Sequence, residues 1–105
     1  MVARRQINRF VKELAQEFSP EKVVLFGSYA NGQATEDSDI DLLVVAESSE
    51  PRYRRSRRLY GALSDIPLPT DIIVYTPSEV EDWSQVWQAF VTTAVREGKV
   101  LYENR

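Results

Sequence analysis

An acidic pair set into an apolar strand constrains this chain more than any other feature of its sequence. Residues 38–45 read Ser-Asp-Ile-Asp-Leu-Leu-Val-Val, a run of strand-forming residues that carries Asp39 and Asp41. Side chains alternate between the two faces of a strand, so both aspartates point to one face and the apolar side chains to the other. Because acids are costly to place in an apolar strand, we expect one face to be acidic for a chemical reason and the other to be core.

A glycine-serine turn lies shortly before this acidic strand. Residues 23–26 form an apolar run, interpreted as a buried strand, that stops at Gly27 and Ser28. The turn can present backbone N–H groups and a hydroxyl to an anion, although Gly27 is equally typical of a strand-ending turn and Ser28 of a capping residue. Two neighbouring carboxylates repel each other, and a divalent cation with oxygen ligands relieves that repulsion. Together, the turn and Asp39 with Asp41 predict a metal-dependent site for phosphoryl chemistry.

The composition limits which metals and partners the chain can use. Its 105 residues (12.1 kDa) suffice for a single domain, 1–105, but not for an additional substrate domain. Cysteine and histidine are absent, so any metal would have oxygen ligands, which favours magnesium, calcium or manganese. A net charge of −3 and a pI near 5.0 argue against binding to nucleic acid. The absence of a long apolar run and of a signal-peptide core predicts no membrane interaction and a cytoplasmic location.

Positive charge is concentrated in one short segment of this acidic chain. Five arginines fall within the seven residues 52–58. A solvated helix face and a patch that binds phosphate or a partner protein are both consistent with such a run. The sequence alone leaves these two interpretations open.

Hydrophobic periodicity and turn residues predict seven elements in the order α-β-β-α-β-α-β. Tyr60 and Leu63 are candidate core contacts of the second helix, and Thr76 with Glu79 forms a capping box that begins the third. The loop between the first two strands is too short for a full crossover helix, which indicates an antiparallel or mixed pair. The predicted fold is therefore α/β, a small mixed β-sheet packed by helices. The predicted helices are residues 4–18, 51–63 and 77–97, and the strands are residues 23–26, 39–45, 71–75 and 100–102, the last at the sheet edge.

Asp71 is the third acid of interest. It begins a strand that we expect beside the acidic strand, with its carboxylate at the same end of the sheet. Two metal ions bridged by such carboxylates can hold a nucleoside triphosphate and activate an attacking hydroxyl for in-line displacement. Asp71 is also placed to accept the proton of that hydroxyl. An acid at a strand start after a proline turn is also an ordinary structural feature, and the spacing alone does not separate the two interpretations.

The combined pattern resembles the minimal nucleotidyltransferases of the DNA polymerase β superfamily, over nearly the whole chain. The resemblance implies a nucleotidyltransferase fold similar to the polymerase β palm. The family often has arginine where Asn31 stands, so one charge that neutralises phosphate is absent from this sequence. The roles that the resemblance implies are contacts to the β- and γ-phosphates for Gly27 and Ser28, binding of two magnesium ions for Asp39, Asp41 and Asp71, and a catalytic base for Asp71.

The resemblance also implies a function. Members of this family are similar to antitoxins that pair with all-helical HEPN toxins, and some transfer AMP from ATP to a tyrosine of that partner. An alternative is a binding module that neutralises the toxin by contact, motivated by Asn31 and by Trp83 and Trp87 as candidate exposed aromatics. Transfer to RNA or to a small molecule such as an aminoglycoside is a third possibility, against which the acidic pI counts. Assembly of the protein with itself or with its partner is left open.

Overall fold

The computed structural model describes residues 2–62, 68–86 and 89–104 of the chain. No helix in these ranges is long and apolar enough to cross a membrane. Within these residues the strands are β1 (Lys22–Phe26), β2 (Ile40–Val45), β3 (Thr70–Tyr75) and β4 (Lys99–Glu103), and the helices are α1 (Arg4–Phe18), α2 (Ser28–Asn31), α3 (Arg52–Ala62), α4 (Pro77–Trp83) and α5 (Phe90–Glu97).

The four strands form one mixed sheet with the order β3-β2-β1-β4. Strand β1 pairs antiparallel with both β2 and β4, whereas β2 and β3 are parallel. A parallel pair needs a crossover connection, and α3 lies in the segment that makes it. The structure thus confirms the predicted mixed sheet, the antiparallel first pair and the position of the last strand at an edge.

Both faces of the sheet are covered by helices. The first face packs against α1 and α3 through a cluster that includes Leu14, Leu42 and Leu59. The opposite face carries Leu43 and Val45 of β2, which are buried in a second cluster with side chains of α5. The prediction that the face of β2 bearing the aspartates is simply acidic was therefore wrong, because α5 covers that face beyond the start of the strand.

The predicted helix over residues 77–97 is two helices, α4 and α5. The capping box that begins α4 is confirmed, since the Thr76 N–H donates to Glu79 Oε1 (2.9 Å) and the Glu79 N–H donates to Thr76 Oγ1 (3.2 Å). At the other end, the carbonyl oxygen of Trp83 accepts from the Val86 N–H (2.9 Å) and from Thr92 Oγ1 (2.6 Å), so a side chain of α5 binds the end of α4. The apolar periodicity continued through this break and concealed it. Trp87 lies outside the described residues.

The second predicted helix is largely confirmed as α3, but its predicted core contacts were not. Tyr60 is 41% exposed, and Leu59 is the buried residue of this turn. Leu63 lies outside the described residues. The junction of α5 and β4 depends on Gly98, where a Cβ atom would lie 2.5 Å from the Ala94 carbonyl oxygen and 2.7 Å from that of Leu25. These are backbone atoms, so the close packing of α5 on β1 requires glycine there.

Candidate functional site

The sheet register places two predicted acids side by side. Asp41 of β2 is the direct partner of Asp71 in the parallel β3, and Phe26 at the end of β1 is the partner of Asp41 on its other side. Cross-strand partners present their side chains on the same face of a sheet. Asp41 and Asp71 therefore share a face and an end of the sheet, as the sequence predicted for Asp71.

The turn after β1 brings Gly27 against the Asp41 carboxylate. Gly27 has φ 73° and ψ −154°, a conformation that disfavours any residue with a side chain. A Cβ atom on Gly27 would also clash with Asp41 Oδ2. Helix α2 begins immediately afterwards, and the first N–H groups of a helix have no partner within it. The close approach of backbone to carboxylate is the geometric reason for glycine at this position.

Ser28 and Gly27, although adjacent in sequence, line different clefts. Gly27 lines a cleft of about 250 Å³, whereas Ser28 lines a different cleft of about 230 Å³ together with Arg4 and Tyr29. The Tyr29 hydroxyl in that second cleft accepts a hydrogen bond from the Val2 N–H (3.0 Å). The two residues of the glycine-serine turn thus face different surroundings.

The electrostatics of Asp41 reflect its neighbours. Asp41 is half-buried, and this burial raises its pKa above the ordinary value of 3.8, with Asp71 and then Asp39 raising it further. A nearby like charge disfavours the ionised form of a carboxyl group. No arginine or lysine in the described ranges forms an ion pair with any of these three aspartates. Among the described residues, the negative charge of this cluster is therefore not neutralised by an ion pair.

The donor chemistry of this cluster fits a hard cation, because carboxylate oxygens are the ligands that magnesium prefers. As the side chains stand, however, no three acids among the described residues converge closely enough to hold a metal ion. Asp39 precedes β2 and is exposed, as is Asp71. The arrangement is thus an acidic pair with a third acid nearby.

The 250 Å³ cleft beside Gly27 brings Asn31, which the sequence singled out, opposite residues of α5 that it did not. On one side lies Asn31, whose Oδ1 accepts a hydrogen bond from the Gln33 N–H (3.1 Å). On the other side α5 contributes Phe90, Thr93 and Glu97, which follow a helical spacing of three and four residues. That spacing was a usable signal, but these residues were read as part of a structural helix.

The arginine run divides into distinct roles. Arg55, only 9% exposed, donates two hydrogen bonds to Glu79 (2.5 and 3.2 Å). Arg52 lies over the ring of Tyr75, 4.3 Å from its centroid, and donates to its hydroxyl (3.1 Å). Both arginines therefore connect α3 to β3 and α4. This structural role is neither the solvated helix face nor the binding patch that the sequence suggested. Arg54 is exposed.

A family model described as a nucleotidyltransferase domain matches residues 5–101. The chain belongs to this family. The match confirms the family that the glycine-serine turn and the Asp39–Asp41 pair indicated. The match therefore extends over nearly the whole chain, as the resemblance did.

Individual relatives of this nucleotidyltransferase domain are more specific. A protein of Methanocaldococcus jannaschii, provisionally named a protein adenylyltransferase, is 41% identical over 64 residues, which are 59% of this chain and 42% of that protein. The protein adenylyltransferase MntA of Thermococcus cleftensis is 52% identical over 36 residues, which are 34% of this chain and 36% of that protein. The chain thus spans less than half the length of these two relatives.

A solved structure supports the fold of this nucleotidyltransferase domain. The crystal structure of a toxin–antitoxin with AMP-PNP matches with a TM-score of 0.56 and 25% identity, over 93% of this chain and 74% of that chain. Together with the family match, this likeness confirms the nucleotidyltransferase fold expected from the sequence.

Proposed function

We propose that this chain is a magnesium-dependent protein adenylyltransferase and the antitoxin of a toxin–antitoxin pair. It would transfer AMP from ATP to a tyrosine hydroxyl of a HEPN-type toxin. The observation that carries the proposal is the direct pairing of Asp41 with Asp71, with the Gly27 backbone against the Asp41 carboxylate. We also propose that residues 1–105 act as one minimal domain. The use of ATP agrees with the cytoplasmic location expected from the sequence.

Magnesium would be held by Asp41 and Asp71, with Asp39 completing the set. Two observations support this assignment. The carboxylates lack a cationic partner among the described residues, and burial, followed by the charges of Asp71 and Asp39, raises the pKa of Asp41. Because Asp39 and Asp71 are exposed, their side chains can rotate towards a common point. When bound, magnesium neutralises triphosphate charge and polarises the reacting phosphate.

The residues of the chain would act on ATP and the acceptor as follows. The acceptor hydroxyl oxygen forms a bond to the α-phosphorus, the bond from that phosphorus to the bridging oxygen breaks, and pyrophosphate leaves. Asp71 takes the proton of the hydroxyl. Gly27 lets the triphosphate approach the backbone after β1. We assign the β- and γ-phosphates to Gly27 and Ser28, and the Ser28 side chain, which lines a separate cleft, would have to turn towards Gly27 to reach them. Positioning and electrostatic stabilisation of this kind account for most of the catalysis in phosphoryl transfer.

The partner assignment is supported by the names of the relatives. Two of them are named protein adenylyltransferases, and the solved neighbour is a toxin–antitoxin bound to AMP-PNP. The net charge of −3 disfavours binding to nucleic acid, which agrees with an acceptor that is itself a protein. A helical HEPN-type protein encoded beside this chain is the first acceptor to test.

The deciding experiment measures the mass of that helical protein after incubation with this chain, ATP and magnesium. We expect a gain of one or more AMP units on a tyrosine-containing peptide. Asp41→Ala should abolish the gain, whereas Asp37→Ala, an exposed loop acid, should leave it intact. Full transfer by Asp41→Ala would rule out the proposed site.

A second candidate function is neutralisation of the toxin by contact alone. It is favoured by the absence of three convergent acids among the described residues and by Asn31 in place of a cationic residue. The two functions differ in one measurement. If Asp41→Ala silences the toxin as well as the parent does, contact is sufficient; if silencing is lost while binding persists, transfer is required.

A further inference from the structure

The open edge of the sheet at β3 is covered by side chains of α3 instead of a fifth strand. Strand β3 is at the edge of the sheet, so alternate residues direct their backbone N–H and C=O groups away from β2. Arg55 donates to the Val74 carbonyl oxygen (3.2 Å). Tyr60, one turn and a half further along α3, binds the same edge nearer to the start of β3. The two side chains replace part of a missing strand ladder.

The Tyr60 hydroxyl binds the backbone on both sides of Asp71. It donates to the Thr70 carbonyl oxygen (3.2 Å) and accepts from the Ile72 N–H (2.7 Å). These are the residues immediately before and after Asp71. A single hydroxyl thus uses its donor and its acceptor capacity to fix the backbone around one carboxylate.

The carboxylate of Asp71 has no other restraint in the part of the chain that the structure describes. Neither a hydrogen bond nor an ion pair to its side chain occurs there, and the side chain is exposed. Its position opposite Asp41 therefore follows from the backbone of β3 alone. One edge of the β3 backbone is paired with β2, and the opposite edge is hydrogen-bonded to the Tyr60 hydroxyl.

We propose that Tyr60 is a positioning residue for Asp71, which sets the geometry of the acidic pair without touching substrate. This assignment rests on the proposed function, because it explains how the carboxylate assigned as base and metal ligand is held. Loss of the hydroxyl would release the edge of β3 at Asp71. A displacement of about 1 Å in a reacting group can cost roughly 100-fold in rate.

The test compares Tyr60→Phe with Tyr75→Phe. Tyr75 offers a matched control, because its hydroxyl also joins α3 to β3, accepting from Arg52 (3.1 Å), but it lies four residues from Asp71. We expect Tyr60→Phe to lower kcat for AMP transfer by roughly tenfold or more with KM for ATP unchanged, while Tyr75→Phe keeps kcat within about twofold. Equal losses in the two variants, or an unchanged kcat in Tyr60→Phe, would overturn the assignment.

A second measurement does not depend on transfer. In the metal-free protein, Tyr60→Phe should accelerate exchange of the Ile72 amide by about fivefold or more and shift the side-chain carboxyl ¹³C signal of Asp71, whereas Tyr75→Phe should do neither. If the parent protein transfers no AMP, the proposed function fails. The role of Tyr60 is then decided by these signals, and an unmoved Asp71 signal overturns it.

Discussion

The backbone of Gly27 lies so close to the carboxylate of Asp41 that a single added carbon would collide with it. This contact joins the turn after β1 to the acidic pair of β2 and β3. It makes the site sensitive to one methyl group. It also gives glycine a reason to occur here that a simple strand-ending turn would not provide.

We expect Gly27→Ala to abolish AMP transfer by displacing Asp41. Gly32→Ala is the matched control, because Gly32 also has a positive φ (79°) but no atom within 4 Å of its Cβ position. Gly32→Ala should lose about 1–2 kcal/mol in free energy of unfolding, since Gly32 is in the left-handed helical region, and Gly27→Ala should lose more, since its φ and ψ are accessible essentially only to glycine, both measured by urea denaturation. Only Gly27→Ala should lose transfer. Equal activity in the two variants would show that the contact with Asp41 has no role.

Replacement of Asn31 should test the missing phosphate charge. Asn31 lines the same cleft as Gly27, so an arginine there can reach an anion bound beside the turn. We expect Asn31→Arg to lower KM for ATP by about tenfold, the range of one charge-assisted hydrogen bond. Asn8→Arg, on the exposed face of α1, adds the same charge elsewhere and should leave KM unchanged. A matching fall in both variants would indicate general electrostatic attraction.

Removal of the Asp41 charge should stabilise the metal-free protein. Burial and the charges of Asp71 and Asp39 raise the pKa of Asp41 above 3.8, so its ionised form is disfavoured in the folded state. The loss of stability develops as the pH rises from 3.8 through the raised pKa. It is absent in more acidic solution, where Asp41 is protonated in both the folded and the unfolded protein. At pH 7 we expect Asp41→Asn to gain about 0.5–1 kcal/mol in free energy of unfolding.

The control for that gain is Asp37→Asn, which removes an exposed loop charge and should change stability little. Thermal denaturation at pH 7 and again near pH 3 would follow both variants. A loss of stability in Asp41→Asn at pH 7 would contradict the prediction. Magnesium should raise the melting temperature of the parent but not of Asp41→Asn, since a ligand stabilises only the state that binds it.

The Arg55–Glu79 pair should govern acid stability. The pKa of Glu79 is lowered from 4.5 to about 2, chiefly by the hydrogen bond from Arg55; burial opposes this, and the Thr76 N–H and the charges of Arg55 and Arg52 add to the lowering. A lowered pKa stabilises the fold above pH 4.5, and this contribution is lost as the pH falls through about 2. Glu79→Gln should therefore cost about 2 kcal/mol at pH 7, because it leaves the Arg55 charge nearly buried and unpaired.

Glu81→Gln provides the comparison, since Glu81 is exposed on the same helix. The difference in free energy of unfolding between parent and Glu79→Gln should shrink between pH 4.5 and 2, followed by urea denaturation at each pH. A constant difference would mean that the pair acts through packing and not through charge. Glutamine can retain the capping box with Thr76, so α4 should still form.

Much of the fold was readable from local chemistry. The alternation in residues 39–45, the apolar run before Gly27 and the capping box at Thr76 depend on neighbours in sequence, and each predicted element type was confirmed. The prediction of a single helix over residues 77–97 was wrong because the apolar spacing in the sequence continues between α4 and α5. Tyr60 was wrong as a core residue because its hydroxyl finds partners at the edge of β3.

The sequence by itself determined that this chain carries an acidic strand, a glycine turn and a nucleotidyltransferase pattern, because these are properties of residue type and short spacing. Only the tertiary structure decided that Asp71 faces Asp41, since strand register depends on contacts between residues 30 apart in sequence. It also decided that Gly27 touches Asp41, that Ser28 faces another cleft, and that Arg55 belongs to Glu79. Such relationships arise from packing, in which the whole chain takes part.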